Sequence, residues 1–334
     1  MAQFVWKPSL NVRGKGLNAQ IGEKISVCLL TYNHVEAIES TLSSILDQTV
    51  AGYEVIVSDD CSTDGTWERL LAIAEEDSRV RPIRTPHNMG MPGNANFAVA
   101  QSDRPYIALL HHDDLYRKDL LEKWAMVLER HADVGFVFNH YDSATPERHN
   151  RSRFNEERLD GKWFFEKILL ARWDSPIRGT AMIRRSCWDR VGGMREQFNL
   201  VADVDLWMRL SRLSNVGYVA ERLIYVRDMR PTYYPDIYKS TRWSWRRKLL
   251  GYEIHASNRL DYLAMNTLKG RLRWWAFRLR LSWETSRLLL RALVRKRWRR
   301  QIIASSRESV TEYDLWPLSA LRRVLQLIVR STEA

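Results

Sequence analysis

The chain has 334 residues and 45% of them are hydrophobic, an ordinary globular share that allows one large or two medium domains. It has no run of about 18 apolar residues, so we expect no membrane-spanning helix. The first residues lack the basic and apolar pattern of a signal peptide, and three widely spaced cysteines favour a reduced, cytoplasmic compartment.

The net charge of +12 is concentrated near the C-terminal end. Residues 241–300 hold 17 Lys or Arg, three acids and six of the 14 tryptophans, so this stretch carries +14 and the rest of the chain −2. We therefore divide the chain into a lead-in at 1–23, a near-neutral domain at 24–238 and a basic, Trp-rich helical region at 239–334.

From Lys24 onwards, apolar runs alternate with segments whose apolar residues have helical spacing. The predicted strands are 25–30, 53–58, 80–84, 106–110 and 134–138, and the helices between them are 36–47, 66–76, 94–100 and 120–130. Further helices are predicted at 163–170 and 205–213, short strands at 216–219 and 223–226, and only helices beyond 238. This alternation favours an α/β fold with a doubly wound, mostly parallel sheet.

Two of the predicted strands end in paired aspartates. Asp59 and Asp60 follow the second strand, and Asp113 and Asp114 follow the fourth. Ligands of open α/β sheets bind at the carboxyl ends of the strands. Adjacent carboxylates repel each other, so a site with several of them usually also holds a cation, a proton or a sugar hydroxyl. The alternative for Asp59 and Asp60 is that they cap the turn that follows.

The first half of the chain resembles the nucleotide-binding half of family 2 inverting glycosyltransferases, which have the GT-A fold. The resemblance is carried by Thr31-Tyr32-Asn33 after the first strand and by the run Asp59-Asp60-Cys-Ser-Thr-Asp-Gly-Thr after the second. It implies that these three residues and the aspartate pair hold the base and ribose of a nucleotide-sugar. Asp60 is favoured for the base and Asp59 supports it. A carboxylate accepts the N3–H of uracil or thymine, which favours a UDP- or dTDP-linked donor.

Two positions in this half depart from the family pattern. Cys61 stands where the family usually has glycine, which asks whether the turn needs a positive φ. The segment 86–96 resembles the family's Asn-x-Gly segment, but Ala95 stands where an arginine is common. Asn96 is then a substitute donor-binding residue, and the alternative for the segment is a loop with Asn94 as helix N-cap.

The run His111-His112-Asp113-Asp114 resembles the family's Asp-x-Asp metal motif. The resemblance implies that Asp114 binds Mg²⁺ or Mn²⁺ and that Asp113 contacts the ribose or a bridging water. His112 stands where the family commonly has Asp, and a histidine can still ligate manganese. A zinc site at the histidine pair is the rival interpretation, although no other Cys or His cluster has suitable spacing.

A third motif, Ala202-Asp203-Val-Asp205-Leu-Trp, resembles the acceptor side of the family, where an acidic pair precedes an amphipathic helix. The match implies that Asp203 is the general base. Ala202 replaces the usual Glu, a neighbour that would raise the pKa of the base. Asp205 is expected to serve as a cap or dipole partner. The alternative is that Asp203 is only an N-cap.

The basic region has an amphipathic pattern. A helical wheel from Leu268 gathers apolar residues on one face with arginines on its flanks; the face consists of Leu272, Trp275, Leu279, Trp283, Leu290 and Leu293. Such a face suits an anionic membrane surface, which predicts a cytoplasmic protein bound peripherally at the inner face of the membrane. A helix packed on the body with a solvated basic rim is the plainer alternative. Nothing beyond charge favours nucleic acid.

Together the motifs predict transfer of a sugar, with inversion, from a nucleotide-diphospho-sugar to an acceptor hydroxyl. The basic tail favours a glycan or lipid-linked acceptor of cell-surface polysaccharide or glycolipid synthesis. Two rivals remain open. A sugar nucleotidyltransferase would need a Gly-rich basic loop near the first strand, and a non-catalytic binder of nucleotide or nucleic acid would use the tail for affinity.

Overall fold

The structure, a computed structural model, describes residues 20–144, 154–171, 175–227 and 241–294. Most of the predicted lead-in and residues 295–334 of the basic region lie outside this part of the chain. Nine strands are described: β1 Ile25–Thr31, β2 Glu54–Asp59, β3 Val80–Arg84, β4 Tyr106–His111, β5 Asp114–Tyr116, β6 Val134–Ser143, β7 Arg158–Leu159, β8 Ala181–Arg184 and β9 Asn215–Val226.

The helices that we number are α1 Val35–Leu46, α2 Thr66–Glu76, α3 Gly90–Ala100, α4 Leu120–Arg130, α5 Arg185–Val191, α6 Ala202–Leu213, α7 Thr241–Tyr262 and α8 Leu268–Val294. A short turn at Gly161–Trp163 continues as a π-helix over Phe164–Leu169, and a 3₁₀-helix spans Glu196–Val201.

All nine strands join one sheet in the order β3-β2-β1-β4-β8-β6-β9-β5, with β7 also paired to β9. The half from β3 to β4 is entirely parallel. Beyond it, β8 runs antiparallel to both β4 and β6, while β6 and β9 are parallel. The predicted α/β fold is therefore confirmed, with a parallel sheet from β3 to β4 and a mixed sheet beyond it.

The sheet separates two hydrophobic layers. Alternate residues of β1 point to opposite faces, so Cys28 and Leu30 join α3 and α6 on one side, while Val27 and Leu29 join α1 and α4 on the other. Because both faces are covered, the strand is buried along its whole length.

The region 216–226 forms one strand, although the sequence predicts two. Exposed charges at 221 and 222 interrupt the apolar pattern there, but the backbone continues alongside β6, whose register shifts on both sides of His140. The short strands β5 and β8 were not predicted, because three or four residues carry too little periodicity.

Both described helices of the basic region contact the body or each other on one face. On α7, Leu250 and Ile254 are buried in the core, and Asn258 donates a hydrogen bond to Asp205 of α6 at 2.8 Å. On α8, Phe277 lies under the guanidinium of Arg259 of α7, 4.7 Å from its ring centre. None of the described helices is long and apolar enough to cross a membrane.

Candidate active site

The predicted site residues meet at one edge of the sheet. Thr31 at the end of β1 pairs with Asp59 at the end of β2, and Leu30 pairs with His111 at the end of β4. The order β2-β1-β4 therefore brings both aspartate pairs to the same edge, with the Thr31 turn between them. The expected convergence of the strand ends is confirmed, whereas the role of each residue stays a prediction.

The turn after β1 is tied to the turn after β2. Asn33 has a φ of 48°, its backbone N–H donates to Ser62 Oγ at 2.7 Å, and its side-chain oxygen accepts from the N–H of Thr63 at 2.7 Å. The neighbouring Thr31 Oγ1 is buried and has no hydrogen-bond partner in the described part of the chain. Tyr32 is half-buried beside it.

The turn at Cys61, where the family usually has glycine, has a positive φ. Its φ is 60°, so this turn does use the left-handed region that favours glycine. The Cys61 thiol donates a hydrogen bond to the carbonyl of Thr85 at 3.0 Å, and this bond holds the side chain in the strained turn.

Asp59 and Asp60 are both buried and both are held by the surrounding chain. Asp59 accepts the N–H of Ser62 at 3.1 Å, as the capping alternative predicts, while Asp60 accepts the N–H of Met89 at 2.7 Å and of Gly90 at 2.8 Å. Burial raises the pKa of each carboxyl. Asp60 thus fixes the start of α3 over the strand edge, and its predicted contact with the base stays a prediction.

Asn96 braces two segments. Its side-chain oxygen accepts the N–H of Met194 at 2.8 Å, and its amide donates to the Met194 carbonyl at 2.9 Å. Both ends of the amide therefore bond to the backbone of one residue, Met194, which joins α3 to the segment before α6. The predicted contact of Asn96 with the donor stays a prediction.

His111, Asp113 and Asp114 form a candidate metal site. One ligand atom of each lies within 4.8 Å of the others. Asp114 is fully buried, and neither of its carboxylate oxygens accepts a hydrogen bond from the described residues. Buried carboxylate oxygens without a hydrogen bond are costly even with the guanidinium of Arg178 3.5 Å from Asp114, so this donor set fits a divalent cation.

The histidine of this group is His111. From the motif, His112 was the histidine expected to be able to ligate manganese. The Nδ1 of His112 lies 2.9 Å from the carbonyl of Leu30, and its ring packs against His34 with the ring centres 4.2 Å apart. His112 is thereby turned towards β1. Burial lowers the pKa of His111 to about 4, so its imidazole is neutral at neutral pH.

Side chains from two other segments donate hydrogen bonds to the backbone at His112 and Asp113. Thr41 of α1 donates to the carbonyl of His112 at 2.7 Å, and Arg227 after β9 donates to the carbonyl of Asp113 at 3.0 Å. Arg227 was not predicted from the sequence, because nothing local marks a residue that contacts a segment 114 positions away.

Arg178 lies against the two carboxylates. Its guanidinium nitrogen is 3.5 Å from Asp114 and 3.7 Å from Asp113. Burial, reinforced by the charge of Asp113, raises the pKa of Asp114 to about 7. Burial acts in the same direction on Asp113, but His112 and Arg178 outweigh it and lower the pKa of that carboxyl. Arg178 was also missed, since it lies in a loop without a motif.

The carboxylate of Asp203, like the ring of His111, lies close to Gly179. A Cβ atom on Gly179 would lie 3.5 Å from the Oδ2 of Asp203 and 2.5 Å from the ring of His111, so both side chains approach this glycine. Helix α6 begins after Val201 and has no side-chain cap, which does not favour the N-cap alternative for Asp203. Burial raises the pKa of Asp203 to about 6 even though Ala202 is not acidic.

Asp205 was expected to be a cap or dipole partner. It lies in the first turn of α6, as a dipole partner would, but its side chain does not cap the helix. Its carboxylate is fully buried, accepts from Arg209 at 2.7 Å and from Asn258 at 2.8 Å, and lies 3.5 Å from Arg195. It anchors α6, and with it Asp203, to the segment before that helix and to α7.

Three features of this sheet edge are typical of the GT-A class. They are the turn at Thr31, the cluster of His111, Asp113 and Asp114, and the carboxylate of Asp203 that faces the cluster. A solved structure has the same fold. Residues 1–349 of TarS from S. aureus, in complex with UDP-GlcNAc, superpose with a TM-score of 0.62 at 17% identity, covering 84% of this chain and 79% of that one. The fold is therefore GT-A.

The particular family follows from the sequence profile described as "Glycosyl transferase family 2", which matches residues 26–191. Residues 26–191 therefore form a domain of this family.

Two curated relatives from Bacillus subtilis (strain 168) are similar to parts of the chain. TuaG, whose name assigns it as a glycosyltransferase of teichuronic acid biosynthesis, is 38% identical over 114 residues, which are 34% of this chain and 45% of TuaG. EpsE, named as a glycosyltransferase, is 28% identical over 211 residues, which are 61% of this chain and 72% of EpsE. This chain thus covers less than half of TuaG.

Proposed function

We propose that the protein transfers a sugar from a UDP- or dTDP-linked donor to an acceptor hydroxyl, with inversion at the anomeric carbon. One observation carries the proposal. A carboxyl with a pKa of about 6, Asp203, faces the His111–Asp113–Asp114 cluster across Gly179. A base is most effective when its pKa lies near the working pH, so this carboxyl suits proton abstraction.

The reaction is a single displacement. The acceptor oxygen forms a bond to the anomeric carbon while the bond from that carbon to the diphosphate oxygen breaks. Asp203 takes the hydroxyl proton, and the nucleoside diphosphate leaves with the electron pair. For this transfer the acceptor oxygen must come within about 2.6–3.2 Å of the Asp203 carboxylate.

The donor is assigned to the strand edge. Thr31, Tyr32 and Asn33 would line the base and ribose, with Asp60 on the base and Asp113 near the ribose. His111, Asp113 and Asp114 would hold Mg²⁺ or Mn²⁺, which when bound neutralises the charge of the diphosphate. The buried oxygens of Asp114, which accept no hydrogen bond from the described residues, support this assignment.

A panel of nucleotide-sugars, screened by thermal unfolding of the full chain and then by release of nucleoside diphosphate, tests the donor assignment. A ligand that binds only the folded state raises the unfolding temperature. We expect a UDP- or dTDP-sugar to give the largest rise with Mn²⁺ present. Equal rises for all nucleotides, or none for any, would contradict the assignment.

We also propose that the acceptor is a lipid-linked or surface glycan and that α8 holds the enzyme at an anionic bilayer. Leu272, Trp275 and Trp283 are exposed by 60%, 53% and 64% and share one face of α8, while the opposite face packs inwards. Exposed Arg271 and Arg273 flank this stripe. Rings at headgroup depth and cations near anionic lipid stabilise such a helix.

Sedimentation with vesicles tests this surface. The full chain should sediment with phosphatidylglycerol vesicles at low salt and remain in solution with phosphatidylcholine vesicles. The double variant Trp275→Glu/Trp283→Glu should lose this binding. The matched control Trp163→Glu, at a tryptophan exposed by 42% outside α8, should keep it. A wild-type protein that stays in the supernatant refutes the proposal and leaves the transferase proposal untouched.

A further inference from the structure

The candidate metal site differs from a purely carboxylate site by one nitrogen. The three potential ligand atoms of His111, Asp113 and Asp114 lie within 4.8 Å of one another. In the described part of the chain, His111 Nε2 and both oxygens of Asp114 are buried without a hydrogen-bond partner. The guanidinium of Arg178 lies 3.5 Å from Asp114 without forming a hydrogen bond to it. The atoms of these two neighbouring side chains, His111 and Asp114, therefore point to a ligand that would satisfy them together.

We infer that His111 ligates the divalent ion through Nε2 and that this nitrogen makes the site select Mn²⁺ over Mg²⁺. The inference rests on the proposed function, because it names the ion that the proposed donor site would use.

The selectivity follows from ligand chemistry. Mg²⁺ is a hard cation that prefers oxygen ligands at about 2.0–2.1 Å, demands near-octahedral geometry and gives up its waters reluctantly. Imidazole is a better ligand for transition metals, and carboxylates serve both kinds of ion. Replacing an oxygen ligand by a nitrogen therefore weakens the site for Mg²⁺ more than for Mn²⁺.

The surroundings hold the imidazole where this role requires it. Tyr116 Oη accepts the His111 N–H and donates to the His111 carbonyl, each at 2.8 Å, so the backbone of this residue is fixed twice. The ring lies against Gly179, where a Cβ atom would stand 2.5 Å from it. Glycine at 179 thus leaves the space that the ring occupies.

The adjacent histidine supplies a matched control. His112 Nδ1 is paired with the carbonyl of Leu30 at 2.9 Å, and the ring packs on His34, so it is committed to β1. Asparagine at 112 can still donate to that carbonyl. His111→Asn and His112→Asn therefore remove the same ring from neighbouring positions, only one of which belongs to the cluster.

The test titrates the metal-free full chain with Mn²⁺ and measures the free ion by electron paramagnetic resonance. A second titration adds Mg²⁺ as a competitor, which gives the affinity for each ion. We expect Mn²⁺ to bind at least tenfold more tightly than Mg²⁺ to the wild type. His111→Asp, which restores an oxygen ligand, should narrow this ratio at least fivefold. His111→Asn should weaken Mn²⁺ binding at least tenfold, and His112→Asn should leave it within twofold.

Pulsed resonance on the wild type gives a result that needs no variant. A directly bound imidazole nitrogen modulates the echo of Mn²⁺, and we expect this signal in wild type and His112→Asn. Mn²⁺ bound without the nitrogen signal, an unchanged ion ratio in folded His111→Asp, or failure of the wild type to bind Mn²⁺ would each overturn the inference.

These outcomes are separable from those of the proposed function. Sugar transfer that needs no imidazole-bound ion would refute the inference and leave the transferase intact. A nitrogen-bound Mn²⁺ in a protein that turns over no nucleotide-sugar would support the inference and refute the proposed transferase activity.

Discussion

Replacing Asp203 by asparagine should destroy transfer and at the same time stabilise the fold. The half-buried carboxylate that we propose as the base destabilises the folded state when it is ionised, because partial burial raises its pKa from 3.8 to about 6. A raised pKa means that the contribution of this group to stability is complete below about pH 4 and is lost as the pH rises through 6. Asparagine has no charge to lose.

The size of the effect follows from the same shift. A carboxyl with this change in pKa costs the folded state about 3 kcal/mol when it is ionised. Asp203 is half-buried, so solvent screening reduces the cost to about 1–2 kcal/mol, or a few degrees in Tm. We expect Asp203→Asn to unfold at higher temperature than wild type at pH 7.5 and at an equal temperature at pH 4.

Turnover provides the second half of the test. Loss of a general base costs about 10²–10⁴-fold in rate. The control Asp189→Asn, at an exposed carboxylate of α5, should change neither quantity. If Asp203→Asn instead lowers the unfolding temperature at pH 7.5 and retains turnover per folded molecule, Asp203 is a helix-capping residue and the assignment of the base is wrong.

Substitutions at three further positions probe the surroundings of the site. Gly179→Ala forces a Cβ atom to within 2.5 Å of the His111 ring, so nucleotide-sugar turnover should fall at least tenfold, measured as nucleoside diphosphate release. Asn258→Ala removes one hydrogen bond from the buried Asp205 and should lower the free energy of unfolding by about 1–3 kcal/mol in denaturant titrations, while turnover per folded molecule is kept. Cys61→Gly should change that free energy by less than about 1 kcal/mol, whereas Cys61→Val should cost more, because a branched residue is strained at a φ of 60°.

Each of these has an outcome that contradicts it. Gly192→Ala is the control for Gly179→Ala, since its φ of 72° adds backbone strain but no atom lies within 4 Å of the new Cβ. Equal losses of turnover in the two glycine variants would mean that strain, not contact with His111, is responsible. An unchanged unfolding curve for Asn258→Ala would remove α7 from the support of α6, and a Cys61→Val variant as stable as wild type would argue against the left-handed turn.

The strand edge could be predicted from the sequence because its signals are local. A buried apolar run that ends in paired aspartates marks both a strand and its carboxyl end, and parallel pairing then brings Asp59 and His111 to the ends of strands on either side of β1. The exposed stripe on α8 was likewise visible as a helical period, and Leu272, Trp275, Leu279 and Trp283 are indeed exposed.

The parts that could not be predicted depend on contacts between distant segments. Arg178 and Arg227 lie in segments without periodicity, and only the fold brings them to Asp113. The choice between His111 and His112 depends on the rotation of the chain at the end of β4, which composition does not encode. Asp205 has the position of a cap in the sequence, yet tertiary packing buries it among arginines and Asn258.

Nucleoside diphosphate release from the panel of nucleotide-sugars, with Mn²⁺ and an extract of membrane glycolipid as acceptor, tests the central claim most directly. We predict release from at least one UDP- or dTDP-sugar by the wild type, and loss of that release in both Asp203→Asn and Asp114→Ala. No release by the wild type from any nucleotide-sugar, together with unchanged nucleotide binding in Asp114→Ala, would contradict the assignment of this site as a glycosyltransferase centre.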